Sequence, residues 1–178
     1  MRILVEDALA ELPSTTITVK TPCGYYNGIE IRTDDLCAVS IVRSGDALLD
    51  TVRECIPSIA VVKILIQRNE ASSQKEPHLY FVSKLPHGIE KMNILLCDPM
   101  LATGGSAICA IQALIERGIQ SKKIIFCNMI SCPEGLKALA EAFPEVKIVT
   151  ACIDECLNAD KFIVPGLGDY GDRFFNTT

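Results

Sequence analysis

The sequence has no tryptophan, only two histidines and no run of lysine and arginine. Its 17 basic residues are outnumbered by 22 acidic ones, so the net charge is −5 and the clustered positive charge that attracts nucleic acid or an anionic membrane is missing. No apolar run reaches membrane-spanning length, and the apolar residues 3–5 before Glu6 are too few for a signal peptide. We therefore expect neither nucleic acid nor a membrane as a partner.

The nine cysteines are an odd number, and no pair has the CxxC spacing of zinc ribbons and redox motifs. Most of them lie in apolar stretches such as residues 94–97, where a thiol behaves as a small hydrophobic side chain. Reduced cysteines are typical of the cytosol, so we expect a cytoplasmic protein. His78 and His87 are too far apart for a metal pair on one helix face, and we interpret both as surface residues. We predict no metal site made of protein side chains.

Short apolar runs alternate with amphipathic helical patterns, which predicts an α/β fold and a single domain over residues 1–178. The runs predict buried parallel strands at Leu36–Val42, 59–66, 92–97, 124–130 and 146–153. The helical patterns cover Asp46–Cys55, 105–117 and 133–143. An earlier helix that stops at Pro13 precedes a predicted antiparallel pair, with strands at 15–21 and 29–31 and turn residues at 23–28.

A polar insert at residues 68–88 interrupts this alternation. It carries Asn69, Glu70 and further polar residues up to Glu76, then an apolar stretch at 79–82 and Pro86, which we interpret as a β-hairpin lid that projects from the sheet. The first helix begins at Met1 without a capping side chain, so we expect an N-terminal arm that is short or absent.

The segment DPMLATGGS, residues 98–106, follows an apolar strand and leads into a helix. Residues 103–106 would place backbone N–H groups at the helix N-terminus, where these donors and the helix dipole favour a phosphate. Asp98 lies at the carboxyl end of the strand, where ligands of open α/β sheets bind, and its carboxylate suits sugar hydroxyls. A capped helix after a glycine turn explains the same spacing. The motif GxxxxGK[ST] is absent and no GxGxxG follows a first strand, which favours a sugar phosphate over a nucleoside triphosphate or a dinucleotide.

The same segment resembles the phosphoribosyl-pyrophosphate (PRPP) loop of the phosphoribosyltransferases, and Asp98 followed by Pro99 matches their uracil branch. The C-terminal FIVPGLGDYGDRFFNT resembles the uracil-binding end of that branch, and VSIVRSGD and KILIQRNE resemble its pyrophosphate-side segments. The four motifs follow the family's order. The resemblance implies an open, mainly parallel sheet flanked by helices, and a pentosyltransferase of pyrimidine salvage that converts uracil and PRPP to UMP and pyrophosphate.

The resemblance also implies which residues bind and act. PRPP would contact Arg43, Ser44, Gly45, Arg68, Asp98, Pro99, Met100, Leu101, Ala102, Thr103, Gly104, Gly105, Ser106 and Asp169. Uracil would contact Ile163, Gly168, Asp169 and Tyr170. The catalytic residues would be Arg43, Arg68 and Asp169. Magnesium would be held mainly by pyrophosphate, ribose hydroxyls and water, and the enzyme would be a homodimer or homotetramer.

Two alternatives stay open. Arg43, at the end of a buried strand, would also suit a nearby carboxylate. A catalytically weak protein of the same fold would instead sense nucleotides or regulate, since a fold does not determine function, although the acidic charge disfavours an RNA reader. Asn176 stands where similar sequences have glycine, which puts the geometry of the chain end in question.

Overall fold

The computed structural model describes residues 1–68 and 77–177, apart from the side chain of Arg68. Its α-helices are α1 Arg2–Ala10, α2 Asp46–Cys55, α3 Gly105–Ile115, α4 Pro133–Ala142 and α5 Tyr170–Phe175. Its strands are β1 Ser14–Thr21, β2 Gly24–Ile31, β3 Leu36–Val42, β4 Ala60–Arg68, β5 Pro77–Val82, β6 Asn93–Cys97, β7 Met100–Leu101, β8 Ile124–Ser131, β9 Lys147–Ile153, β10 Cys156–Leu157 and β11 Ile163–Val164. Two short 3₁₀ turns lie at Ile89–Lys91 and Ser121–Lys123.

The central sheet has the strand order β5–β4–β3–β6–β8, with β9 and the short β7 also paired with β8. All of these pairings are parallel except that between β5 and β4. Strand β3 is buried along almost its whole length because helices cover both faces of the sheet. The predicted α/β fold with a mainly parallel sheet is therefore confirmed.

Successive residues of the central strands face two separate cores. On β6, Ile94 and Leu96 belong to the core beneath α3 and α4, whereas Leu95 and Cys97 belong to the core beneath α1 and α2. This division follows from the two-residue period of a strand. Cys37, Cys97 and Cys127 fill space in these cores, as predicted for thiols in apolar stretches. The exposed cysteines are Cys23, Cys152 and Cys156.

The strands β1 and β2 form a separate antiparallel hairpin. The prediction of a turn at residues 23–28 was wrong, because Thr21 already pairs with Gly24. The hydroxyl of Thr21 accepts a hydrogen bond from the Gly24 N–H (3.1 Å) and donates one to the Gly24 carbonyl (2.9 Å). A two-residue turn is thereby closed, and residues 25–28 extend the second strand.

The predicted hairpin lid at residues 68–88 is described only in part. Its apolar stretch at 79–82 lies in β5, which pairs with β4 at the edge of the central sheet, and its polar residues 69–76 lie outside the described residues. Both histidines are exposed, as predicted. Among residues 1–68 and 77–177, no helix is long and apolar enough to cross a membrane.

Candidate active site

The strand order reverses between β3 and β6, at the carboxyl edge of the sheet. The chain runs from β3 to β4 on one side and later returns to β6 on the other side of β3. Ligands of open α/β sheets bind at such a reversal, because the loops leaving the two strands diverge and open a crevice. The loops that begin at Arg43 and at Asp98 both leave the sheet here.

Gly45 brings these two loops together. A β-carbon on this residue would lie 2.7 Å from the carbonyl oxygen of Ile41 and would overlap the carbonyl oxygen of Cys97, the last residue of β6. The turn after β3 therefore passes directly over the end of β6, which only glycine permits. The Gly45 N–H donates a hydrogen bond to the Ile41 carbonyl (2.9 Å), and this bond closes the turn before α2.

The loop at residues 98–106 is a strand-to-helix connection, as predicted. Asp98 is 9% exposed, and β7 continues the loop alongside β8. Gly104 has φ = +82°, a conformation that glycine adopts readily, and it begins α3 without a capping side chain. The Gly105 N–H donates a long hydrogen bond, 3.4 Å, to the Thr103 hydroxyl. The capped-helix interpretation thus has weak support, and the first turn of α3 offers backbone donors.

Arg43 contacts residues close to the C-terminus. It donates one hydrogen bond to Oδ1 of Asp172 (3.0 Å) and another to the hydroxyl of Thr177 (3.4 Å), and its guanidinium lies 5.6 Å from the ring centre of Phe175. A carboxylate partner for Arg43 was one of the two expectations, and it is present. The side chain of Arg43 is nevertheless 57% exposed, so its remaining N–H groups face solvent and are accessible to an anion.

Asp172 is held as a carboxylate. The hydroxyl of Thr177 donates to its Oδ1 at 2.8 Å, and this bond together with the Arg43 guanidinium lowers the pKa of Asp172 below its ordinary value. Asn176 ends α5 with φ = +54°, which asparagine tolerates better than most residues other than glycine. The chain end therefore keeps a geometry that glycine would also adopt.

The predicted uracil residues form two groups. Ile163 and Tyr170 are buried, with Ile163 on the short strand β11, whereas Gly168 and Asp169 are exposed. Asp169 begins α5, and its Oδ1 accepts a hydrogen bond from the Asp172 N–H (2.9 Å). A carboxylate oxygen in this position stabilises the start of a helix.

Gly171 connects the C-terminal segment to the turn after β3. A β-carbon on Gly171 would lie 3.0 Å from the Ser44 hydroxyl and 3.8 Å from the Arg43 guanidinium. The structure therefore brings together Arg43, Ser44, Gly45, the start of the 98–106 loop and α5. Arg68 ends β4 at the same edge of the sheet, and its side chain lies outside the described residues.

Sequence reasoning missed two sets of supporting residues. One set is Asp172, Phe175 and Thr177, which surround Arg43. The other is Cys132, Glu134 and Gly135, at the start of α4. Neither set has a characteristic spacing, and the only available signal was a glycine, Gly135, within a helical pattern.

Comparison with known proteins gives the family. The profile described as uracil phosphoribosyltransferase matches residues 1–177. Over 178 residues the chain is 47% identical to uracil phosphoribosyltransferase 1 of Schizosaccharomyces pombe (99% of this chain, 80% of that one) and 43% identical to uracil phosphoribosyltransferase of Dictyostelium discoideum (99% and 81%). The solved structure of the AQ2163 protein of Aquifex aeolicus matches with a TM-score of 0.85 at 32% identity (99% and 82%). The chain therefore belongs to the uracil phosphoribosyltransferase family.

Proposed function

We propose that the carboxyl edge between β3 and β6 is where this enzyme transfers the phosphoribosyl group of PRPP to N1 of uracil, giving UMP and pyrophosphate. The reaction is a pentosyl transfer, in keeping with the family and its relatives. One observation carries the location. Gly171 lies against the turn that contains Arg43 and Ser44, so the uracil-like C-terminal motif adjoins a pyrophosphate-like one.

The 98–106 loop would bind the ribose and 5-phosphate of PRPP. The backbone N–H groups from Thr103 to Ser106 lie at the start of α3, where an anion is stabilised by unpaired donors and by the helix dipole. The carboxylate of Asp98, at the end of β6, would accept hydrogen bonds from ribose hydroxyls. Residues 99–102 would shape the wall between them.

The Arg43 turn would bind the pyrophosphate, with Arg68 as its second cation. An arginine presents paired N–H donors that match two phosphate oxygens, and Arg43 has exposed donors in addition to those it gives to Asp172 and Thr177. Breaking the anomeric bond leaves pyrophosphate with additional charge. Cationic donors that are already in place stabilise this charge without reorganising, so the protein needs no nucleophile.

Uracil would bind beside β11 and the start of α5. Ile163 would contact the base, and the backbone of residues 168–170 would supply hydrogen bonds to its polar edge, with the Asp169 carboxylate facing the ribose of PRPP. Such a pocket rejects cytosine. Cytosine has an amine donor in place of the C4 carbonyl, so this amine would face a protein N–H donor and both buried groups would be left unpaired.

Magnesium fits this site only as a substrate-bound ion. Among the described residues, no three His, Cys, Asp or Glu side chains come together as a metal site. Mg²⁺ often keeps several waters and takes substrate oxygens, here those of the pyrophosphate and the ribose hydroxyls, so it needs few ligands from the protein. When bound, the ion would neutralise part of the leaving pyrophosphate's charge. We also propose that the enzyme is cytoplasmic and forms a homodimer or homotetramer.

A product assay tests the proposal. PRPP and magnesium are supplied with uracil, cytosine, hypoxanthine or orotate, and the wild type is compared with Asp169→Ala and with the control Asp50→Ala, an exposed position on α2. We expect UMP from uracil alone, lost in Asp169→Ala and kept in Asp50→Ala. An absence of product with every base would overturn the proposal, and PRPP binding by such an inactive protein would favour the nucleotide sensor.

A further inference from the structure

The turn that starts α4 makes hydrogen bonds to one side of the 98–106 loop. The Cys132 N–H donates to the Leu101 carbonyl (3.3 Å), and the Cys132 thiol donates to the Ala102 carbonyl (3.1 Å). The peptide bonds after Leu101 and Ala102 are trans. In a trans peptide the C=O and the following N–H point in opposite directions. The N–H groups of Ala102 and Thr103 therefore point away from α4, on the free side of the loop.

Gly135 allows this loop to lie directly on the helix backbone. A β-carbon on Gly135 would be 2.6 Å from the Leu101 carbonyl oxygen and would overlap that of Ala102. Gly135 is buried, so a side chain at this position has no route to solvent and would collide with the loop. The position of the loop thus depends on the absence of a side chain at residue 135.

Glu134, the preceding residue, contacts the other side of the site. Its Oε1 accepts a hydrogen bond from the Leu157 N–H (3.0 Å), and Leu157 is the strand partner of Ile163 in the β10–β11 pair. A carboxylate in the first turn of α4 is also favoured by the helix dipole. Glu134 therefore anchors the strand pair that carries Ile163.

We infer that Gly135 and Glu134 are positioning residues for different substrates, with Gly135 holding the PRPP loop and Glu134 holding the strand pair beside uracil. The inference rests on the proposed function, because it uses the placement of the two substrates given there. Since the two residues are consecutive on one helix, α4 fixes the distance between the sugar and the base that must react.

Steady-state kinetics with each substrate varied in turn test the role of Glu134. We expect Glu134→Ala to raise the KM for uracil about fivefold, because the hydrogen bond from the Leu157 N–H to the carboxylate is lost, and to leave the KM for PRPP unchanged. Glu134→Gln keeps an oxygen acceptor and should restore most of the wild-type KM. Glu141→Ala, at an exposed position of the same helix, is the control and should match the wild type.

Gly135→Ala should show the opposite pattern. We expect its KM for PRPP to rise at least about tenfold, because its β-carbon displaces the loop, with a smaller change for uracil. If this variant does not fold, Cys132→Ala removes one donor without adding bulk and should raise the KM for PRPP about twofold while leaving that for uracil unchanged.

The split between the two KM values separates positioning from general stability. Equal changes in both KM values, a thermal midpoint that falls with no KM change, or Glu134→Gln behaving like Glu134→Ala would each overturn the inference. An inactive wild type would instead overturn the proposed function. A third outcome is that the wild type is active and Asp169→Ala abolishes UMP formation, but Glu134→Ala leaves the KM for uracil unchanged. That outcome would overturn the inference and leave the proposed function intact.

Discussion

The substitution Gly45→Ala tests whether the turn after β3 must lie on the end of β6. The new β-carbon would be 2.7 Å from the Ile41 oxygen and 2.8 Å from the Ile41 nitrogen, and contacts of real β-carbons are essentially never shorter than 3.0 Å. All of the crowded atoms belong to the backbone, so no side chain can rotate away. The turn itself must move, and with it Arg43 and Ser44.

The expected cost follows from that displacement. Relieving these contacts requires shifts of a few tenths of an ångström at the two Ile41 atoms and a larger shift beside Cys97. Overpacking a close-packed region destabilises a protein by about 1–3 kcal/mol. Because misplacing a catalytic group by about 1 Å can lower the rate a hundredfold, we expect a loss of about 10- to 100-fold in kcat/KM for PRPP.

The assay compares Gly45→Ala with Gly28→Ala under saturating uracil, with thermal unfolding measured in parallel. In Gly28→Ala the new β-carbon meets only the ring of Tyr26, which is exposed and free to move (3.3 Å), so activity should match the wild type. Wild-type kcat/KM in a folded Gly45→Ala variant would refute the reasoning, because the turn would then move without affecting the site.

Three further predictions concern single groups. The Thr177 hydroxyl and the Arg43 guanidinium lower the pKa of Asp172, so their contacts with its carboxylate stabilise the fold above pH 3.8, the ordinary pKa. This stabilisation is lost as the pH falls through the lower pKa of the folded state. Arg43→Ala should raise that pKa in a carbon-13 NMR titration, and an unchanged value would contradict the pairing. Asp169→Asn should keep slow hydrogen exchange at the Asp172 amide, whereas Asp169→Ala should speed it, since only asparagine still accepts the capping bond. Iodoacetamide should label only accessible thiols before unfolding, because burial raises the pKa of Cys37 and of Cys127 to about 12. Mass spectrometry of the peptides identifies the labelled cysteines. The thiols expected to react only after unfolding are Cys37, Cys97, Cys127 and Cys132.

Much of the central fold could be predicted, because buried strands and amphipathic helices leave strong periodic signals. The bounds of β3 and α2 match the prediction, and the loop at 98–106 connects a strand to a helix as expected. The hairpin turn was misjudged because Gly24, Asn27 and Gly28 are typical turn residues. The hydroxyl of Thr21 closes a tighter turn, and cross-strand pairing then makes residues 25–28 extended.

The contacts that build the site could not be predicted in the same way. The partner of Arg43 is 129 residues away in the sequence, and no periodicity connects such positions. The sequence places Gly135 within a helical pattern but does not indicate that the backbone of another segment approaches it there. Resemblance to a family could name the binding motifs, but the residues that hold those motifs in place depend on tertiary packing.

The long separation between Arg43 and Asp172 has a consequence for biosynthesis. A ribosome that adds roughly 5–20 residues per second needs roughly 6–26 s to make the 129 residues between them. During this interval the nascent chain contains the turn after β3, and later the 98–106 loop, but not the helix that anchors Arg43. Translation of α5 therefore marks the time at which Arg43 in a growing chain first acquires its carboxylate partner.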